Sequence, residues 1–284
     1  MITRLKTRTS QTAEYREYHM NRSRFILLLC LLFCSAVQAQ IIDKEVSYKS
    51  DDTTFKGYIA YDDNISGARP GVIVVHEWWG HNEYARKRAR MLAELGYTAI
   101  ALDMYGDGQQ ANHPKEAGKF SSEIRNNLPE AEKRFMAAYE LLQQQAQTDK
   151  KQIAAVGYCF GGGIVLAMAR RGVDLKGVVS FHGSPNVGAP AKKGVIKAKL
   201  LVQNGEADPF IKADQIDAFK EEMDNSGVDY EFINYPNAKH AFTNPEADRF
   251  GKKFGIPLAY NKDADMKSWK KMQDFFQKIF TSEK

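Results

Sequence analysis

The sequence predicts an α/β fold, a mostly parallel central sheet with helices packed on both faces. Apolar strand-like runs alternate with amphipathic helical stretches through most of the chain, the signature of repeated βαβ units. Several runs, such as Gly71-Val72-Ile73-Val74-Val75-His76, are continuously apolar and β-branched, as expected of strands covered on both faces. The composition is that of an ordinary globular protein, with 284 residues, 43% hydrophobic and 26% charged. It excludes a disordered, collagenous or multi-span membrane chain.

Taken in order, Phe55–Tyr61 alternates like an exposed edge strand. Residues 71–76 form the first buried strand, and 82–95 read as a helix that Gly96 ends. A second buried strand covers 98–104, followed by a loop rich in Gly, Asn and Pro, and Pro129 opens a helix running to about Gln147. Strands are then expected at 152–158, 177–182, 199–204 and 230–235, and helices at 162–171, 213–225 and 263–280. There are no repeats and no linker-like tracts after residue 40, so residues 40–284 read as one domain. In such sheets the working residues gather beyond the carboxyl ends of the strands.

Residues 1–39 read as an export signal. Arg22 and Arg24 precede an apolar run from Phe25 to Phe33, and Val37 and Ala39 are the small residues before a cut ahead of Gln40. The run is short for a membrane span of about 20 residues, and Met20 is the more usual start for such a leader. The mature protein is therefore expected in the periplasm or the medium, free of the membrane. The net charge of +5 is concentrated in this segment, and the remainder is nearly neutral, so nothing asks for nucleic acid. Cys30 and Cys34 leave with the leader, and Cys159 remains as a single thiol in an exported chain.

The surroundings of Cys159 suggest a use for it. Gly157-Tyr158-Cys159-Phe160-Gly161 follows a strand and opens a helix, the nucleophile-elbow pattern with Cys in place of Ser. The helix N-terminus favours thiolate, and the Phe160 N–H lies where an oxyanion donor is needed. An acid and a His follow in the order this arrangement uses. Asp208 leaves the strand at 199–204, with Glu206 as its nearest competitor, and His240 follows the strand at 230–235. His76-Glu77-Trp78-Trp79-Gly80-His81 has the wrong spacing for a zinc helix, and no metal or other cofactor is expected. Glu77 and the Trp78 N–H instead belong at the same sheet edge as Cys159. There a carboxylate has two opposite uses, repelling thiolate or accepting the thiol proton.

Taken together, the elbow Cys, the Glu after the first buried strand, and Asp and His in this order resemble the dienelactone hydrolase family over nearly all of residues 45–282. The resemblance implies an α/β-hydrolase fold and a triad of Cys159, Asp208 and His240. It also implies that Glu77 keeps the resting thiol neutral and takes its proton when substrate binds, with the N–H groups of Trp78 and Phe160 holding the oxyanion. One departure stands out: the family's namesake has an Arg four residues after the triad His, to bind a substrate carboxylate, where this chain has Asn244. Lys119 and Arg125 are candidates for a second such Arg. Trp79, Tyr105, Phe210 and Phe242, with Asn244, are the candidate pocket residues. The expected activity is a monomeric, cofactor-independent hydrolase acting on small esters or lactones through an acyl-thioester. The alternative is a non-catalytic or thiol-reactive ligand-binding protein on a hydrolase scaffold.

Overall fold

The computed structural model describes residues 39–281, so the leader assigned to 1–39 lies outside them apart from its last residue. The strands are β1 (Ile41–Ser50), β2 (Thr53–Asp62), β3 (Arg69–Val75), β4 (Thr98–Ala101), β5 (Thr148–Tyr158), β6 (Gly177–Phe181), β7 (Lys199–Gly205) and β8 (Tyr230–Tyr235). They form one sheet in the order β1-β2-β4-β3-β5-β6-β7-β8. It is parallel from β4 through β8, with β1 and β2 antiparallel at one end.

Alternation along the buried strands builds two cores. Ile73, Val75, Ile153 and Ala155 face one side, where α3 (Leu128–Gln143), α4 (Phe160–Arg170) and α5 (Ala213–Ser226) cover them. Val72, Val74, Ala154 and Val156 face the other, under α1 (Glu83–Glu94) and α7 (Lys262–Thr281). Two further helices are α2 (Pro114–Arg125) and α6 (Ala247–Phe254). None of the described helices is long and apolar enough to cross a membrane.

Three local expectations are corrected. The 55–61 strand is not an edge, because β2 lies between β1 and β4. The edge strand at that end, β1, carries Asp43, Lys44, Glu45 and Lys49, the charged residues with which edges deter further pairing. The strand expected at 98–104 stops at Ala101. The buried Asp103 carboxylate there accepts the N–H groups of Lys56, Tyr105, Gly106 and Gly108 and folds the chain into a turn. The loop expected beyond it contains α2, started by an N-capping His113 and a Pro at its first position.

Candidate active site

Cys159 stands at the turn from β5 into α4 with φ +53 and ψ −115. A non-glycine residue in this region is strained, and the surroundings enforce it. A Cβ on Gly157 would lie 2.1 Å from the Gly161 carbonyl oxygen, and one on Gly161 would lie 2.3 Å from that of Val75. The Cys159 N–H is shared between the Phe181 carbonyl at 3.0 Å and His182 Nδ1 at 3.1 Å. That amide is therefore not free to serve a ligand.

The thiol meets a histidine backed by an acid. His240 Nε2 lies 3.0 Å from Cys159 Sγ, and His240 Nδ1 lies 2.7 Å from Asp208 Oδ2. Asp208 is held in its turn by the Phe210 N–H on Oδ1, whereas Glu206 is exposed. Burial disfavours charge on His240, but its contacts with Cys159 and Asp208 outweigh it and hold the ring's pKa up to about 10. Such a pair can share a proton between sulfur and imidazole, with the carboxylate fixing the tautomer.

Glu77 is buried beside this line and accepts a hydrogen bond from Asn244 Nδ2 at 2.6 Å. Burial pushes its carboxyl from 4.5 up to about 7, against the opposing influence of Asn244, His240 and Arg88. Among the described residues Glu77 makes no hydrogen bond to Cys159, whose thiol partner is His240. Trp78 and Phe160 both border a cavity of about 260 Å³ that opens over Cys159 and His240. Phe160 is the first residue of α4, where N–H groups lack helical partners. The Trp78 N–H has no partner among the described residues.

The family model for dienelactone hydrolases matches residues 55–280. The chain belongs to the dienelactone hydrolase family. It is 28% identical over 208 residues to Protein usf of Aquifex pyrophilus, covering 72% of this chain and 88% of that one. It is 27% identical to a protein of Aquifex aeolicus named "Putative carboxymethylenebutenolidase", again over 72% and 88% of the two chains. Among solved structures it resembles a dienelactone hydrolase-like promiscuous phosphotriesterase from metagenomic libraries, with a TM-score of 0.78, 34% identity, and 84% and 99% of the chains covered.

Within this dienelactone hydrolase framework most of the expected pocket residues are reassigned. Of that set only Phe210 borders the cavity, its ring edge-on to His240. Trp79 is buried in a stack with Phe250 and Phe254 of α6. Phe242 is buried against His182 and Tyr235. Tyr105 turns its hydroxyl to the Trp78 carbonyl at 3.0 Å, and Asn244 is occupied by Glu77. The rest of the wall comes from Val187, Ile211, Leu258, Gly163, Ser184 and Arg125. Lys119 faces Glu123 on the surface instead.

Sequence reasoning also missed a buried polar chain behind the elbow. His182 Nε2 meets Thr243 Oγ1 at 2.7 Å, which meets the Tyr84 hydroxyl at 2.6 Å. Arg88 donates to that hydroxyl at 3.2 Å, to the Thr243 carbonyl at 2.7 Å and to Asp265 at 2.7 Å. Burial, then His240 and Arg88, keep the His182 pKa well below the ordinary value, consistent with a neutral ring accepting the Cys159 N–H. The available signal was position, since His182 directly follows β6 at the same sheet edge as Cys159.

Proposed function

We propose that this chain is an exported, cofactor-independent cysteine hydrolase of small esters and lactones. The observation that carries the reading is the continuous line from Cys159 Sγ through His240 to Asp208, 3.0 Å and 2.7 Å long, at the floor of the cavity. His240 takes the thiol proton, and the thiolate attacks the substrate carbonyl carbon. The N–H groups of Trp78 and Phe160 receive the negative charge that develops on the oxygen. Collapse expels the alkoxide, which takes the proton from His240, and leaves an acyl-thioester on Cys159. Water then attacks the thioester carbon, giving a proton to His240; the C–S bond breaks, the carboxylic acid leaves, and the thiolate takes the proton back from His240. Glu77 lies near enough to feel the His240 charge, and when ionised it favours the imidazolium.

The cavity suits a small, largely apolar acyl group, its wall being mostly Trp78, Phe160, Val187, Phe210, Ile211 and Leu258. Arg125 is the cationic exception. Its guanidinium bonds only to Ser121 of its own helix and has no carboxylate partner among the described residues. This supports acceptance of carboxylated lactones even though Asn244 replaces the expected arginine.

The test is hydrolysis by residues 40–284 of neutral aryl esters, neutral lactones, carboxylated lactones and an aryl phosphotriester, with Cys159→Ala as control. Turnover of an ester or lactone that disappears in Cys159→Ala is the expected result. Full activity in that variant overturns the mechanism. A folded wild-type chain that binds the panel without turnover favours the binding-protein alternative. Export is tested by following the full-length chain to the periplasm or medium and sequencing its new N-terminus.

A further inference from the structure

We propose that His76 is a positioning residue that aims the Trp78 N–H at the reacting oxygen. The inference rests on the cysteine-hydrolase reading above, in which that N–H is one of two oxyanion donors. His76 is fully buried at the end of β3. The Met104 N–H donates to its Nε2 at 3.2 Å, so that nitrogen carries no proton. The proton is therefore on Nδ1, which donates to the Glu77 carbonyl at 2.6 Å. Burial lowers the ring's pKa, and the neutral ring keeps this single tautomer.

The Glu77 carbonyl and the Trp78 N–H are two ends of one peptide group. That group is planar and trans, so fixing the direction of the oxygen fixes the opposite direction of the N–H. Residues 76–79 lie beyond the strand, and the sheet ladder no longer dictates how this peptide is turned. The Gly80 N–H adds a second, longer bond to the same oxygen at 3.2 Å. Donation to the carbonyl also polarises the amide and strengthens its N–H as a donor.

The ring is itself held, stacked on Phe160 and edge-on to Tyr105 at centroid distances of 5.8 and 4.8 Å. The His76 carbonyl meanwhile accepts the Gly161 N–H at 3.1 Å. One residue thus aligns the first donor with its side chain and fastens the strand to the turn that carries the second.

Two substitutions separate this role from simple packing. His76→Asn retains a side-chain donor near the Nδ1 position. His76→Gln reaches the Nε2 position and satisfies Met104 but offers nothing to Glu77. Ester acylation passes through an oxyanion, whereas alkylation of Cys159 by iodoacetamide does not, and both rates are measured. The expected result for His76→Gln is an acylation rate and kcat lower by about 10- to 100-fold, somewhat less than the loss of a whole oxyanion donor. KM and alkylation should stay within about twofold, and His76→Asn should recover most of the loss. Parallel loss of acylation and alkylation in both variants, or no loss in His76→Gln, overturns the proposal.

The wild-type protein gives an independent reading if a variant does not fold. The 15N shifts of the His76 ring at neutral pH should report a neutral Nδ1–H tautomer, and an Nε2–H tautomer overturns the proposal. Absence of Cys159-dependent turnover in the wild type is a different failure, that of the parent reading, and it removes this inference with it.

Discussion

Asn244 donates its side-chain amide to the carboxyl of Glu77 at 2.6 Å, tying the loop after β3 to the turn that follows His240. With the carboxyl's pKa raised to about 7 by burial and restrained by Asn244, the acid limb of the pH–rate profile should lie near neutrality. Asn244→Ala removes a bond that favours the ionised form, so that limb should move upward by roughly half a unit to one unit. The measurement is kcat/KM against pH for both proteins. A limb that does not move assigns the titration to another group.

The same carboxyl makes stability depend on pH. Its folded pKa of about 7 exceeds the ordinary 4.5, so the folded state holds the proton more tightly than the unfolded chain does. This stabilisation is complete below about 4.5 and is lost as pH rises through about 7. Urea unfolding should therefore find that Glu77→Gln gains on the wild type between those limits, by an amount on the order of 3 kcal/mol or less.

In the proposed triad, Cys159→Ala should abolish turnover. Asp208→Asn should lower kcat by about 10⁴-fold, since an amide no longer selects the His240 tautomer that accepts the thiol proton. Glu206→Gln should leave the rate within about twofold, because Glu206 is exposed and away from the His240 hydrogen bonds. Steady-state kinetics of the three variants decide between the two acids.

Arg125 should discriminate by charge. Arg125→Gln is expected to raise KM for carboxylated lactones by about 10-fold or more, the worth of a charge-assisted bond. Neutral aryl esters should be unaffected. Equal KM changes for both classes would assign Arg125 to the shape of the wall.

Arg88 is fully enclosed, bonded to Asp265 and Thr243 and flanked by the rings of Tyr84, Tyr158 and Trp269, each 5.2 Å from its guanidinium carbon. Arg88→Met leaves Asp265 without its cation and should cost about 3–5 kcal/mol. Arg88→Met with Asp265→Leu should recover part of that loss. Chemical denaturation of the single and double variants provides the comparison.

The parallel direction of the buried strands was legible in the sequence, because a strand covered on both faces must be apolar throughout, as 71–76 is; the exchange of β3 and β4 in the sheet order was not. The elbow was legible too, since Gly157 and Gly161 are required by backbone contacts that admit no Cβ. Asp208 and His240 followed from their place after strands. The wall of the cavity was not legible. Trp79, Tyr105 and Phe242 are aromatic near the site, yet composition does not say which way a ring turns. Helix α6, which receives Trp79, is only eight residues long and too short for a clear period. His182 and His76 were hidden for another reason, since each acts through a backbone group.

The β3–β5 ladder pairs Val75 with Gly157, and the proposed donors Trp78 and Phe160 each lie three residues beyond that pair. Neighbouring strands stand roughly 4.8 Å apart, while two N–H groups that share one oxygen at about 2.9 Å each must lie within about 5.8 Å of one another. The pitch of the sheet therefore acts as a caliper for the carbonyl. Substitutions around the cavity can change which acyl group is admitted and how its far end is held. In the proposed mechanism the ladder sets how far apart the two donors stand and His76 sets how one of them is turned, so remodelled specificity will have to pivot about the point they share.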